Sequence, residues 1–240
     1  MNLAKKLDAL TAPGILYKKL DNKVLRCFAC GHRCLIREGK RGICQVRFNE
    51  NGELRVPSEY IAALQLDPVE KKPLYHFFSG ENALSFGMLG CDLHCDYCQN
   101  WFTSQAMRDP DSDSAGRLVR EISAKEIITI AKENDAKIIA STYNEPLITT
   151  EWGVEIFKEA KKSGFKTAFI SNGHATAETL EYLHPYLDAY KIDLKSMQEK
   201  NYRELGGVLK NVLDSIKRVH ELGIWLEVVT LVVPDFNDSN

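Results

Sequence analysis

The chain has 240 residues, a length that allows one large domain or two small ones with a substantial buried core. Its composition, 44% hydrophobic and 27% charged, is that of a globular protein, and no apolar run approaches the roughly 18 residues of a membrane-spanning helix. We therefore expect no membrane partner, and at a net charge of −2 we expect no nucleic-acid partner either.

The N-terminal part of the chain is basic and the remainder is acidic. Residues 1–56 contain 12 Lys and Arg against 5 Asp and Glu, whereas residues 57–240 contain 19 against 28. A basic surface of this kind could dock an acidic partner, or it could simply be solvated. No apolar signal core follows Lys5 and Lys6, so we expect the protein to stay in the cytoplasm.

The first elements form a small module that is rich in cysteine. A short helix over Ala4–Leu10 breaks at Pro13-Gly14, and a group of four cysteines follows: Cys27, Cys30, Cys34 and Cys44. Four thiols could bind zinc or an iron–sulfur cluster; the alternatives are reduced buried thiols or a Cys27–Cys30 redox pair. If one ion binds all four, their sulfurs should lie within about 4 Å of each other.

Two extended segments complete this module. They cover Leu54–Val56 and Ile61–Leu66, and prolines punctuate the chain around them. We place the boundary near Ser79-Gly80, which gives a Cys-rich module over residues 1–78 and a second domain over residues 79–240.

Strands and helices alternate after the boundary, which is typical of an α/β fold with a parallel sheet. A capping box at Ser123 and Glu126 opens the first long helix, which ends near Asn134. The predicted strands are Ala83–Leu89, Lys137–Thr142, Thr167–Ser171, Asp188–Asp193 and Ile224–Val233. The other predicted helices are Thr150–Ser163, Ala177–Leu183 and Val208–Leu222.

Three cysteines follow the first of these strands in a C-x3-C-x2-C pattern: Cys91, Cys95 and Cys98. Three thiolates suit an iron–sulfur cluster that leaves one iron free for another ligand, because a closed cluster takes four. The alternative is three ordinary cysteines on one face of a core helix. Gly90 and the polar residues between the cysteines favour a loop, in which His94 is a spacer rather than a ligand.

This cysteine loop resembles the signature of the radical S-adenosylmethionine (SAM) superfamily. In that family the three cysteines hold three irons of a [4Fe–4S] cluster, and SAM chelates the fourth. The string Asp67–Phe77, together with Cys98-Gln99-Asn100, is similar to a narrower branch, the AmmeMemoRadiSam-system radical SAM enzymes. That branch is related to the pyruvate formate-lyase activating enzyme.

The resemblance also assigns residues that follow the predicted strands to SAM binding. Glu145 is the candidate for the SAM amino group, although Tyr143-Asn144 stands where the activating enzymes have Gly-Gly, and Glu145 could instead complement a helix dipole. The further implied SAM residues are Tyr97, Asn172, Asp193 and Lys195. Their alternatives are plain packing for Tyr97, a turn at Asn172 and solvated charges for the last two.

The resemblance implies an open (β/α) partial barrel of the radical SAM type with the Cys-rich module in front. The usual core has six strands, and Asp238-Ser239 reads as a helix start, so we expect a chain truncated after its fifth strand. The implied reaction is reductive cleavage of SAM to a 5′-deoxyadenosyl radical that abstracts hydrogen from a substrate.

Three functional alternatives remain open at this stage. The substrate could be a protein or metabolite of the AmmeMemoRadiSam system, or the chain could activate a glycyl-radical enzyme. A non-enzymatic iron–sulfur electron carrier is the third, although no cysteine follows Cys98 to complete such a site. Either enzyme needs a reductant such as flavodoxin or ferredoxin, which the basic N-terminal part could dock.

Overall fold

A computed structural model describes residues 3–238 of the chain, without the side chains of residues 111–113. The described N-terminal part contains one α-helix and seven short strands: α1 (Leu3–Ala9), β1 (Thr11–Pro13), β2 (Tyr17–Lys19), β3 (Leu25–Cys27), β4 (Leu35–Ile36), β5 (Phe48–Glu50), β6 (Glu53–Pro57) and β7 (Tyr60–Ile61). They form small antiparallel sheets in the orders β1-β6-β5 and β2-β3-β4. Residues of the second sheet and of β6 build a separate small core.

The remaining strands are β8 (Ala63–Pro68), β9 (Asn82–Gly87), β10 (Arg120–Glu121), β11 (Ile138–Ser141), β12 (Lys166–Ser171), β13 (Ala189–Asp193) and β14 (Trp225–Val229). The remaining helices are α2 (Trp101–Ser104), α3 (Ala124–Glu133), α4 (Thr150–Lys162), α5 (Ala177–Leu183), α6 (Glu199–Glu204) and α7 (Leu209–Glu221). The short β10 pairs with β7. None of the described helices combines the length and apolar character that crossing a bilayer requires.

The main sheet has six strands in the order β14-β13-β12-β11-β9-β8. Five of these strands, β9, β11, β12, β13 and β14, are parallel, and β8 lies antiparallel at the edge beside β9. The predicted α/β fold class is therefore confirmed. Because the connected strands are parallel, their carboxyl ends, and the loops that follow them, meet at one edge of the sheet.

The two faces of the sheet carry different side chains, as the two-residue period of a strand requires. Large side chains such as Phe86, Ile139 and Phe169 belong to the main core with the helices. The opposite face, which we call the inner face, carries smaller residues, among them Ala83, Ala140, Ala168 and Ala189. Residues 69–77 cover part of this inner face with Val69, Leu74 and Phe77.

Local signals in the sequence fix several element ends as predicted. The capping box is present: the Ser123 hydroxyl accepts from the Glu126 N–H at 3.2 Å, and the Glu126 carboxylate accepts from the Ser123 N–H at 2.8 Å. Helix α4 is followed by Gly164 with φ of +80°, a conformation that glycine adopts without strain.

Two predicted segments need correction. The extended segment predicted over Ile61–Leu66 in the N-terminal module is divided: Ile61 ends β7, which pairs with β10, whereas β8 is the edge strand of the main sheet and satisfies the free backbone groups of β9. The sheet thus extends across the predicted boundary at residues 78–79. The strand predicted over Ile224–Val233 ends at Val229, because its partner β13 ends opposite at Asp193.

Candidate functional site

The cysteine loop leaves the carboxyl end of β9 and contains no helix between Gly90 and Cys98, as predicted. Gly90 has φ of +98°, and a Cβ there would lie 3.0 Å from Val46 Cγ1. A glycine is therefore required where the strand turns into the loop. A turn between Cys95 and Cys98 follows, closed by the bond from the Cys98 N–H to the Cys95 carbonyl at 3.1 Å.

The three cysteines of this loop are free thiols and half-buried. Burial is the main cause that raises the pKa of Cys91 well above its ordinary value and that of Cys95 to about 11. The sulfurs already receive polar contacts: the Leu93 N–H donates to Cys91 Sγ at 3.4 Å, and Cys98 Sγ lies 3.4 Å from the Ser104 hydroxyl. Cys91 and Cys95 would therefore have to lose their protons on binding a metal.

A buried hydrogen-bond network joins this loop to the residues after β12, and no spacing rule predicts it from the sequence. One Asp92 oxygen accepts from Asn172 Nδ2 at 2.8 Å, and the other lies 3.0 Å from His174 Nδ1. Burial opposes ionisation of Asp92, but the contact with His174 outweighs it and lowers the pKa of the carboxyl. His174 Nε2 in turn lies 3.1 Å from Asn211 Nδ2. Through its two oxygens Asp92 therefore holds the side chains of both Asn172 and His174 in place.

Glu145 is buried at the end of β11 and binds two other segments. Its carboxylate accepts from the N–H groups of Leu147 and Asn172, at 3.0 and 2.8 Å, and from the Ser171 hydroxyl at 2.7 Å. Burial, and secondly the negative charge of Asp92, raise its pKa to about 8. The bond from the Leu147 N–H also caps the short 3₁₀ helix Pro146–Thr149. Glu145 therefore acts as a helix-start residue, which was the alternative to SAM binding, and also lies at the edge of the sheet with Asn172.

Asp193 ends β13 and Lys195 follows two residues later, where its charge acts on Cys95 of the cysteine loop. Asp193 contacts both Lys191 Nζ and Lys195 Nζ, the latter at 3.5 Å. Burial disfavours the charge of Lys195, but Asp193 and Cys95 outweigh it and raise its pKa. The ring of Tyr97 packs against Phe236 with centroids 5.4 Å apart. The edge of the sheet therefore brings the sequence-predicted residues Cys91, Cys95, Tyr97, Glu145, Asn172, Asp193 and Lys195 into one electrostatically linked region.

Among the described residues, the sulfurs of the four N-terminal cysteines do not all lie within 4.8 Å of one another, so the expectation that they bind one ion is wrong. The iron–sulfur alternative for these cysteines stays a prediction. In the part of the chain that the structure describes, the only set of three His, Cys, Asp or Glu ligand atoms within 4.8 Å of one another is Cys30, Asp92 and His174. The Gly31 N–H donates to the His174 carbonyl at 2.7 Å, which draws Cys30 toward Asp92. Cys34 Sγ instead accepts from the Ile43 N–H at 3.4 Å.

The 4.8 Å limit describes ligands of a single ion, and cluster-binding thiolates each hold a different iron. The loop cysteines therefore need not meet that limit to hold three irons of one cluster. They share one loop, and the cation of Lys195 is one of the charges acting on Cys95. No further cysteine follows Cys98 in the sequence.

Comparison with known proteins decides the family. The model of the radical SAM superfamily matches residues 86–240, which include the cysteine loop and all the parallel strands but the first residues of β9. The chain belongs to the radical SAM superfamily. The matched residues 86–240 thus include the cysteine loop and the residues that follow the carboxyl ends of the parallel strands.

The relatives differ in length and in what their names state. Over 94% of its length the chain is 36% identical to Uncharacterized protein MJ0808 of Methanocaldococcus jannaschii, and it spans 66% of that protein. It is 24% identical to the 4-hydroxyphenylacetate decarboxylase activating enzyme of Clostridium scatologenes, over 60% of this chain and 49% of that enzyme. The chain is also similar to a solved structure of TYW1 with a lysine–pyruvate adduct bound. The match covers 75% of this chain and 68% of the TYW1 chain, at 18% identity and a TM-score of 0.49.

Proposed function

We propose that this radical SAM protein is an enzyme that reductively cleaves SAM and uses the resulting 5′-deoxyadenosyl radical to abstract hydrogen from a protein or small-molecule substrate. The observation that carries the proposal is the convergence of the three-cysteine loop with Glu145, Asn172 and Lys195 at the carboxyl edge of the sheet. In open α/β sheets this edge is where ligands bind.

The residues divide into two sets in this proposal. Cys91, Cys95 and Cys98 would hold a [4Fe–4S] cluster, which supplies the electron for SAM cleavage when it is bound. The side chains that would bind SAM are Tyr97, Glu145, Asn172, Asp193 and Lys195.

Each SAM-binding side chain has a distinct task in the proposal. Lys195, whose raised pKa keeps it charged, would pair with the SAM carboxylate, and Asp193 would accept from ribose hydroxyls. Glu145 and Asn172, which share a hydrogen bond, would receive the amino end of SAM. Tyr97 offers an aromatic face for the adenine.

We place the enzyme in the AmmeMemoRadiSam branch, since Asp67–Phe77 and Tyr143–Pro146 are similar to that branch. Activation of a glycyl-radical enzyme is the second candidate, and the relative named as a decarboxylase activating enzyme favours it. Both candidates require a reductant, for which we propose a flavodoxin or ferredoxin that docks on the basic N-terminal part.

The cluster assignment is tested by anaerobic reconstitution of the full-length protein, followed by electron paramagnetic resonance of the reduced sample. Replacing Cys91, Cys95 or Cys98 with Ala should abolish the reduced-cluster signal, because each thiolate holds one iron. His94→Ala is the matched control, since His94 is exposed in the same loop and should leave the signal intact. A full-strength signal in the triple cysteine variant would reject the assignment.

A further inference from the structure

Two lysines are buried on the inner face of the sheet, below the residues assigned to the cluster and SAM. Lys191 is 4% exposed and Lys72 is 6% exposed. Lys191 lies on β13 between Ala189 and Asp193 and shares a face with both, and Ala189 belongs to the inner-face core. Lys72 lies in the segment that covers this face, between Val69 and Leu74 of the same core. Buried lysines are rare, so this pair needs an explanation.

The carboxylates that contact these lysines are each shared between two ammonium groups. Asp67 lies 3.1 Å from Lys72 Nζ and 2.9 Å from Lys71 Nζ. Asp193 contacts Lys191 and Lys195 in the same way. Each of the two carboxylates therefore neutralises only one of its two lysines.

A third carboxylate on this face, Glu227, lies beside Lys191 on β14 but is engaged elsewhere. Its oxygens accept from the N–H groups of Tyr75, His76 and Phe77, at 2.7 to 3.1 Å. Around Lys191, the ammonium groups of Lys191 and Lys195 share Asp193, and Glu145 adds a further carboxyl group that acts on Lys191. Burial is the main cause that lowers the pKa of Lys191, as expected for an ammonium group whose charge is incompletely compensated.

Uncharged donors and small side chains accompany the lysines. The Tyr143 hydroxyl lies 3.0 Å from Lys72 Nζ, whose charge also sits 4.9 Å from the centre of the Tyr143 ring. Ser85 Oγ is fully buried and has no hydrogen-bond partner among the described residues. It lies on the same face of β9 as Ala83 and Gly87, opposite Ala140 on β11. A buried hydroxyl without a partner is completed by an ordered water or by a ligand, so Ser85 offers one free bonding position on the inner face.

We propose that the inner face binds the substrate through an anionic group, a carboxylate or a phosphate, which Lys72 and Lys191 hold and to which the hydroxyls of Tyr143 and Ser85 donate. Lys191 lies one pleat from Asp193 along β13, so an anionic group held by Lys191 lies next to the SAM that Asp193 would bind. This inference rests on the proposed function for its chemistry, but anion binding is measurable without turnover. The substrate of the proposed reaction is accordingly expected to be anionic rather than neutral or cationic.

The test is thermal unfolding of the reconstituted protein, with SAM present, during titration with succinate and, in a separate arm, inorganic phosphate. We expect at least one anion to raise the melting temperature saturably in the wild type, and the better anion identifies the group. Lys72→Met and Lys191→Met should each weaken the binding of that anion at least tenfold, whereas Lys72→Arg should retain the wild-type affinity. Lys71→Met is the matched control, because Lys71 contacts the same Asp67 but is exposed, and it should bind like the wild type.

Several outcomes would overturn the inference. They are the absence of a saturable anion effect in the wild type, anion binding by Lys72→Met and Lys191→Met as tight as by the wild type, or binding of uncharged succinamide as tight as that of succinate. If Lys72→Met or Lys191→Met does not fold, the glutamine variant at the same position replaces it, because an amide keeps a hydrogen bond to Asp67 or to Asp193 without the charge. Release of 5′-deoxyadenosine is measured on the same wild-type samples: anion binding without SAM cleavage rejects the proposed function alone, and cleavage without anion binding rejects this inference alone.

Discussion

At the scale of single residues, Glu145 links pH to stability. Its pKa of about 8, raised by burial and by Asp92, means that the folded chain holds a proton that the unfolded chain releases above about pH 4.5. The free energy of unfolding should therefore fall as pH rises from about 4.5 to about 8, and flatten above that interval.

Glu145→Gln carries no titrating proton and should lack this component. Chemical denaturation at several pH values should show the wild type losing a few kcal/mol relative to Glu145→Gln across the interval. Glu133→Gln is the control, since Glu133 is exposed and its replacement should leave the slope unchanged. Parallel pH profiles for wild type and Glu145→Gln would contradict the account of Glu145.

Asp92 allows a second residue-scale prediction, for SAM binding. Asn at position 92 has one acceptor oxygen where Asp has two, so it cannot accept from Asn172 and also face His174 as the carboxylate does. We expect Asp92→Asn to release Asn172 and weaken SAM binding by about tenfold, which corresponds to about 1.4 kcal/mol. Equilibrium binding of SAM to the reconstituted protein measures this. Asp96→Asn, an exposed change in the same loop, should bind SAM normally, and equal affinity for both variants would contradict the prediction.

At the scale of elements, a buried ion pair anchors the N-terminal module to α4. Arg47 donates to both oxygens of Glu151 at 2.7 Å, and Glu151 also accepts from the N–H groups of Ile15 and Leu16. The Arg47 side chain is 1% exposed, so removing its partner leaves a buried charge uncompensated.

Glu151→Ala should therefore cost about 3–5 kcal/mol of unfolding free energy, measured by chemical denaturation at neutral pH. The exposed pair of Lys210 and Asp214 provides the control, and Asp214→Ala should cost at most about 1 kcal/mol. A loss for Glu151→Ala as small as that of the control would show that the ion pair does not anchor the module.

The sheet itself was predictable because its determinants are local. Apolar runs, Gly164 after α4 and the capping box at Ser123 place the parallel strands and their helices. The polar residues after each strand then come together by topology alone, as Glu145 and Asn172 do. The pairing of β8 with β9 was not predictable in this way, since an edge strand is selected by the free backbone of its partner.

At the scale of the whole molecule, the features that escaped prediction depend on contacts between distant segments. Asp92 and His174 are 82 positions apart and follow no spacing rule, yet they form one buried pair. Cys30 belongs to the same set through the docking of Gly31 on His174, so the cysteine-rich module reaches the candidate SAM site. The sequence predicted a separate module, and the structure shows a module whose loop contributes to the surroundings of the cysteine loop.

Release of 5′-deoxyadenosine tests most directly whether the protein cleaves SAM; it is measured on the full-length protein, reconstituted anaerobically with iron and sulfide and supplied with dithionite and SAM. We expect release by the wild type and by His94→Ala, and loss of release when Cys91, Cys95 or Cys98 is replaced by Ala. Iron content and the reduced-cluster signal are measured on the same samples. A wild type that carries its cluster and releases no 5′-deoxyadenosine, or a triple cysteine variant that releases it at the wild-type rate, would contradict the account.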